Sequence, residues 1–304
     1  MKRDFIALAD FESSEIQELM DLSTNIKNDP GHFSKSCQGK TLAMIFEKKS
    51  TRTRVSFEVG IFQLGGVALY LNPNDLQLGR GETTADTAQV LSRYVDGIMA
   101  RTYAHQTVLD LARYGRVPVI NGLTDYNHPC QGLTDFFTIG EVFGKTKGIH
   151  LAYLGDGNNV AHSLMMGASR VGIDITVITP KGYEPLKAVT EYSQAEAKKA
   201  GTKLTVSNDI LAAKGAHILY TDVWASMGME KEEEARKKIF APYQINARVM
   251  ELADRDARFM HCLPAHRGDE VSAEVMDSSR SIVFDQAENR LHCQKAIMVK
   301  LMGN

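Results

Sequence analysis

Almost everything that would place this chain in a special class is missing from it. Its four cysteines, Cys37, Cys130, Cys262 and Cys293, show no paired spacing, so neither a disulfide framework nor a structural zinc module is expected. No apolar run approaches bilayer-spanning length, and Met1-Lys2-Arg3-Asp4-Phe5 passes straight into an amphipathic pattern without a signal core or an Arg/Ser-rich leader. A net charge of −2 leaves no electrostatic footprint for nucleic acid or an anionic membrane. There is no internal repeat and no low-complexity tail. The expectation is a cytoplasmic protein with no metal, no cofactor, no nucleic-acid partner and no membrane attachment.

What is present describes an ordinary globular chain. Its 304 residues, 43% hydrophobic and 24% charged, exceed one comfortable core, so two domains are expected. Short apolar runs at 41–46, 67–71, 97–100 and 117–120 alternate with helical patterns near 55–64, 85–94 and 106–114. Beyond Gly144-Lys145-Thr146-Lys147-Gly148 a second series of runs follows, at 150–154, 173–178, 203–206, 217–221, 258–261 and 281–284. Strands alternating with helices predict an α/β chain of two doubly wound parallel-sheet domains, residues 1–144 and 145–286, with a last helix over 287–304 packing back on the first. The charged run 229–238 reads as the solvated face of a helix, functional at most indirectly as the flank of the loop before it.

Ser50-Thr51-Arg52-Thr53-Arg54 stands between a strand pattern and a helix pattern. Free backbone N–H groups, the positive end of a helix dipole and charge-assisted donors then coincide, which makes an anion trap suited to phosphate; a surface helix with a Ser cap is the plainer alternative. Arg101 at a strand end, and His128-Pro129-Cys130-Gln131 at a helix start, would face the crevice beyond the carboxyl edge of the same sheet. His128 equally fits a helix cap. Gly155-Asp156-Gly157-Asn158-Asn159 lacks the third glycine of a dinucleotide fingerprint, and Thr179-Pro180 replaces its acidic residue, so it predicts a tight turn delivering an Asn side chain. Asp222, opening Asp222-Val223-Trp224-Ala225-Ser226-Met227-Gly228, could hold a cationic amine or merely initiate a turn. In His261-Cys262-Leu263-Pro264 the thiol is a candidate nucleophile, ligand or polar lining group.

Taken in order, Ser50 to Arg54 with Val55-Ser56-Phe57-Glu58, then His128 to Gln131, Asp222 to Gly228, His261 to Pro264 and Ala287-Glu288-Asn289-Arg290 resemble the carbamoyltransferase family over nearly the whole chain. Asp222, the Ser-Met-Gly loop and Cys262 resemble the ornithine-using members rather than those that take aspartate, and the Ser-Met-Gly loop alone separates them from the putrescine-using ones, which share the Cys-Leu-Pro segment. The resemblance implies an active site in the cleft between the domains and transfer of a carbamoyl group from carbamoyl phosphate to the δ-amine of ornithine. Another amine acceptor, or a noncatalytic ligand-binding relative, is the alternative.

The family's roles carry over by position. Ser50, Thr51, Arg52 and Thr53 would hold the phosphate, Arg101 would bridge phosphate and carbonyl oxygen, and His128 would help polarise that oxygen. Gln131, Leu263 and Arg290 would hold the carbamoyl amide, and Asn159, Asp222, Ser226 and Met227 the ornithine backbone groups, with Cys262 orienting the amine. Arg54 is expected to pair with Glu58 one turn on. The resemblance also implies a homotrimer with shared sites, in which Gln77, or else Arg80, reaches into a neighbouring subunit.

Overall fold

Parallel strands buried on both faces need almost continuous apolar runs, and β1 (Thr41–Phe46), β3 (Gly97–Arg101) and β4 (Val119–Leu123) supply them, each almost wholly buried. β2 (Val67–Leu71) is largely exposed because it lies at the edge of a sheet of order β2-β1-β3-β4, parallel throughout. The computed structural model describes residues 2–72, 81–225, 228 and 230–304. Within them the chain forms two compact units, Met1–Phe137 with Glu288–Asn304, and Thr138–Ala287.

The helices of the first unit are α1 (Ser13–Asn28), α2 (Thr51–Gln63), α3 (Thr84–Leu91), α4 (His105–Tyr114) and the start of α5 (Pro129–Phe143). One core gathers Ala43, Ile45, Ala88, Ile98, Val108, Leu111 and Val119. The final helix, α11 (Val283–Met302), packs its Leu291, Lys295 and Met298 against α2 at Gly60, where an added Cβ would lie 3.0 Å from Met298 Cε. Lys295 Nζ donates to Gln63 Oε1 at 2.9 Å and Lys27 Nζ to Asn289 Oδ1 at 2.8 Å.

The second unit has five parallel strands, β5 (His150–Leu154), β6 (Asp174–Ile178), β7 (Leu204–Ser207), β8 (Ile218–Thr221) and β9 (Arg258–His261), in the order β7-β6-β5-β8-β9. Its helices are α6 (Asn159–Ala168), α7 (Lys187–Ala200), α8 (Glu233–Phe240), α9 (Ala247–Leu252) and α10 (Ala273–Met276). Both sheets share one topological property. The strand order reverses beside the first strand of each, between β1 and β3 and between β5 and β8, and in open α/β sheets that reversal opens a crevice at the strands' carboxyl ends.

Four sequence expectations differ from the structure. The run 281–284 is no strand: Ser281 makes one isolated bridge to Phe259, and α11 begins at Val283 with Phe284 exposed. The run at 117–120 becomes a strand two residues later, since Pro118 has no N–H and offers its carbonyl to Ile98 N. The charged run 229–238 is not solvated throughout, because Arg236 is buried. The division between units falls at 137/138, inside α5, where the sequence suggested 144/145.

Candidate active site

Among the described residues, most of those singled out in the sequence follow the carboxyl ends of their own unit's strands. In the first unit, Phe46 and Arg101 sit opposite one another at the ends of β1 and β3, and Arg101 O accepts from the backbone N–H groups of Glu47 and Lys48 at 2.8 and 3.3 Å. The register of β3 against β4 shifts between Ala100 and Arg101, an irregularity of the kind that re-aims a side chain at a strand's end. Ser50, extended at φ −164°, caps α2 by accepting from Thr53 N–H at 3.2 Å, so Thr51, Arg52 and Thr53 form the first turn. Thr51 is exposed, Arg52 half-buried and Thr53 buried. The Arg54–Glu58 pair forms at 3.4 Å on the surface, and the guanidinium also stacks over Tyr70 at 3.9 Å.

His128 precedes α5 and is 5% exposed, close to Arg290, Arg101 and Arg52. Burial, reinforced by those guanidinium charges, holds its imidazole well below the usual histidine range. The ring is therefore neutral at pH 7, and one nitrogen still donates. Arg290 is 3% exposed and donates to Gln131 Oε1 at 2.7 Å and Thr53 Oγ1 at 3.1 Å. Gln131 Nε2 in turn donates to Asp135 at 2.8 Å. The amide of Gln131 is thus fixed from both ends, and Oε1 keeps a second lone pair for a ligand N–H. Cys130 plays no such part: its buried thiol donates to Asn121 O at 3.4 Å and burial pushes its pKa up to about 12. Lys48, 4% exposed, pairs with Asp125 and lies over the Tyr103 ring at 4.5 Å; nothing in the sequence pattern distinguishes it from a surface lysine.

In the second unit, Leu154 and Thr221 stand opposite one another at the ends of β5 and β8, and the loops that follow meet at Asp222. Its Oδ1 accepts from Cys262 Sγ at 2.9 Å and Val223 N–H at 2.8 Å, and Oδ2 accepts from Asn158 Nδ2 at 2.8 Å. Asn158 Oδ1 also caps α6, accepting from Val160 and Ala161 N–H. The asparagine reaching Asp222 is therefore Asn158, while Asn159 begins the helix, half-buried. The turn needs glycine at 157, where a Cβ would lie 2.2 Å from Pro185 N.

The segment after β9 is equally constrained. His261 Nδ1 accepts from Leu263 N–H at 2.8 Å, which leaves the ring proton on Nε2, 3.2 Å from Glu270 Oε1. Leu263 itself sits at φ +60°, a region branched side chains seldom enter and one that clusters at functional sites. Asp222, His261 and Cys262 bring ligand atoms within 4.8 Å of one another, as do His266, Asp269 and Glu270. Members of both sets already have protein partners: Cys262 pairs with Asp222, His261 with Glu270 of the other set, and Asp269 with Lys237 at 3.3 Å. Gln77, Arg80, Ser226 and Met227 lie outside the described residues.

Two models of one family match successive stretches of the chain. The carbamoyl-P binding domain of aspartate/ornithine carbamoyltransferases matches residues 3–141, and the Asp/Orn binding domain of the same family matches 147–301. An ornithine carbamoyltransferase of Thermococcus kodakarensis is 55% identical over 99% of this chain and 96% of its own. An anabolic ornithine carbamoyltransferase of Pyrococcus furiosus is 54% identical with the same coverage. The solved ornithine carbamoyltransferase structure from Pyrococcus furiosus superposes with a TM-score of 0.96 at 53% identity, covering 99% of this chain and 97% of that one. The chain belongs to the aspartate/ornithine carbamoyltransferase family.

Proposed function

We propose that this enzyme transfers the carbamoyl group of carbamoyl phosphate to the δ-amine of L-ornithine, giving L-citrulline and phosphate in the biosynthetic direction toward arginine. The observation that carries the reading is the buried, neutral His128 beside Arg52, Arg101 and Arg290, at the crevice of the unit matched by the carbamoyl-P binding domain.

The phosphate sits on the first turn of α2, held by Ser50, Thr51, Arg52 and Thr53, with Arg101 bridging to the carbonyl oxygen. His128 and Thr53 donate toward that oxygen, and Gln131, Arg290 and the Leu263 carbonyl hold the carbamoyl amide. As the amine adds to the carbonyl carbon, negative charge collects on the oxygen, and one donor placed there is worth roughly 10²–10³ in rate. The C–O bond to phosphate then breaks. Phosphate leaves with the electron pair and takes the proton released by the amine, which removes the need for a dedicated general base.

The amine must attack uncharged. A free alkyl amine has a pKa of about 10.4, so selecting its neutral form at pH 7 costs roughly 4.6 kcal/mol unless the site lowers it. Desolvation and the neighbouring guanidinium groups act in that direction. Asp222 receives the α-ammonium, Asn159, Ser226 and Met227 the other backbone groups, and Cys262, bonded to Asp222, orients the reacting amine.

The active enzyme is a homotrimer, or a multiple of one, working in the cytoplasm. Val55, Val59 and Phe62 of α2 and Val67, Leu69 and Tyr70 of the edge strand β2 are all exposed, an apolar surface suited to a second copy of the chain. Gln77, or Arg80, would be contributed across that contact. The deciding assay measures carbamoylated product from carbamoyl phosphate with ornithine, putrescine, N-acylated ornithine and aspartate in turn. Citrulline as the dominant product is expected; preference for another amine, or phosphate binding without turnover, overturns the reading.

A further inference from the structure

Arg236 is the one guanidinium of the charged run on α8 that the fold hides, at 5% exposure. It lies 4.9 Å from the Tyr183 ring centroid and 5.1 Å from that of Phe240, so its faces are packed by aromatic carbon. Its edge does different work. Nε donates to the Trp224 carbonyl and a terminal nitrogen pairs with the Asp156 carboxylate, while Glu232 stands 3.7 Å away. A buried ion pair is weak evidence for stability, since an apolar side chain of similar volume often serves as well. The identity of the two partners is more telling.

Asp156 belongs to the turn after β5, two residues before Asn158, which donates to Asp222 Oδ2 at 2.8 Å. Trp224 lies two residues after Asp222, in the loop following β8. Two of the segments that aim the Asp222 carboxylate, the one carrying its donor Asn158 and the one carrying Asp222 itself, are thus tied to a single planar fork. The fork also offsets part of a charge conflict. Asp156 and Asp222 repel each other; burial first, then that repulsion, raise Asp156 to about 6, and Arg236 opposes both. Lysine has the charge but not the fork that reaches a carbonyl and a carboxylate together.

We infer that Arg236 is a positioning residue for the amine acceptor: by clamping Asp156 and the Trp224 carbonyl it sets the Asp222 carboxylate where the acceptor's ammonium is received. The inference rests on the ornithine reading of Asp222, and it predicts a selective defect. Arg236→Met should raise the KM for ornithine about tenfold or more while the KM for carbamoyl phosphate stays within about twofold. Arg236→Lys should recover part of the loss. Trp224 is the sole tryptophan of the chain, so its emission reports the clamped segment directly, and the change on titrating ornithine should be lost in Arg236→Met. Asp156→Asn, a milder change if Arg236→Met folds poorly, should raise the same KM, and the double variant should show less than the sum of the two free-energy changes. A folded Arg236→Met with unaltered ornithine KM, or with both KM values raised alike, overturns the inference. Failure of the ornithine reading would show separately, as wild-type enzyme preferring another amine.

Discussion

His128 shows what burial does to one residue. Its folded pKa lies below the ordinary 6.5, first through desolvation and then through Arg290, Arg101 and Arg52. A depressed histidine leaves the unfolded chain binding the extra proton. The contribution of His128 to stability is therefore full above pH 6.5 and declines as pH falls below it, with a limiting slope of about 1.4 kcal/mol per pH unit for this one group. Urea unfolding at about pH 8 and about pH 5.5 should show that loss in the wild type and a smaller one in His128→Gln. Arg52, half-buried on the first turn of α2, carries a prediction about rate: Arg52→Ala should lower kcat/KM for carbamoyl phosphate by about two to three orders of magnitude. A near-normal value sinks the phosphate assignment. Serine, arginine and histidine advertise their chemistry in the sequence, so this half of the site was legible there. Arg236 was not, because an arginine in a charged run has the same letter whether water or two aromatic rings surround it.

At the scale of elements, the turn between β5 and α6 decides where Asn158 points. Gly157→Ala would set a Cβ against the backbone of residues 184 and 185, at 2.4 and 2.2 Å. The turn must then move, and the expected result is a raised KM for ornithine with little change in that for carbamoyl phosphate. On α2, Gly60 receives Met298, Lys295 and Leu291 of α11. Gly60→Val should cost about 1–3 kcal/mol by overpacking, read as a lower urea midpoint. Strand positions in the sequence were clear wherever an apolar run was bounded by polar turns, as in β1 and β5. The run 281–284 misled because four residues that bury part of their surface look alike as a strand or as the entry to a helix; a single bridge at Ser281 and the start of α11 at Val283 follow from long-range packing that local periodicity does not record.

For the whole molecule, charge offers little and apolar surface offers more. A net charge of −2 neither drives nor prevents self-association, whereas Phe62 is 75% exposed among other apolar residues of α2 and β2. If the proposed trimer forms through this surface, Phe62→Glu shifts sedimentation toward monomer, with activity falling in parallel; an unchanged sedimentation coefficient would refute that surface as the contact. If sites are shared, mixing inactive Arg101→Ala and Gln77→Ala enzymes under subunit exchange should restore part of the activity.

The sequence by itself determined the alternating strands and helices, the order of the motifs and the chemistry each could perform, because hydrophobic period, turn residues and side-chain functional groups are local properties of the chain. Tertiary structure decided the rest. Only the strand order put Arg101 beside the cap of α2 and Asp222 beside Asn158; only packing made His128 neutral, Cys130 inert and Arg236 a clamp. Those properties depend on which distant segments exclude water from a group and which charges they bring to it, and no window of sequence contains that information.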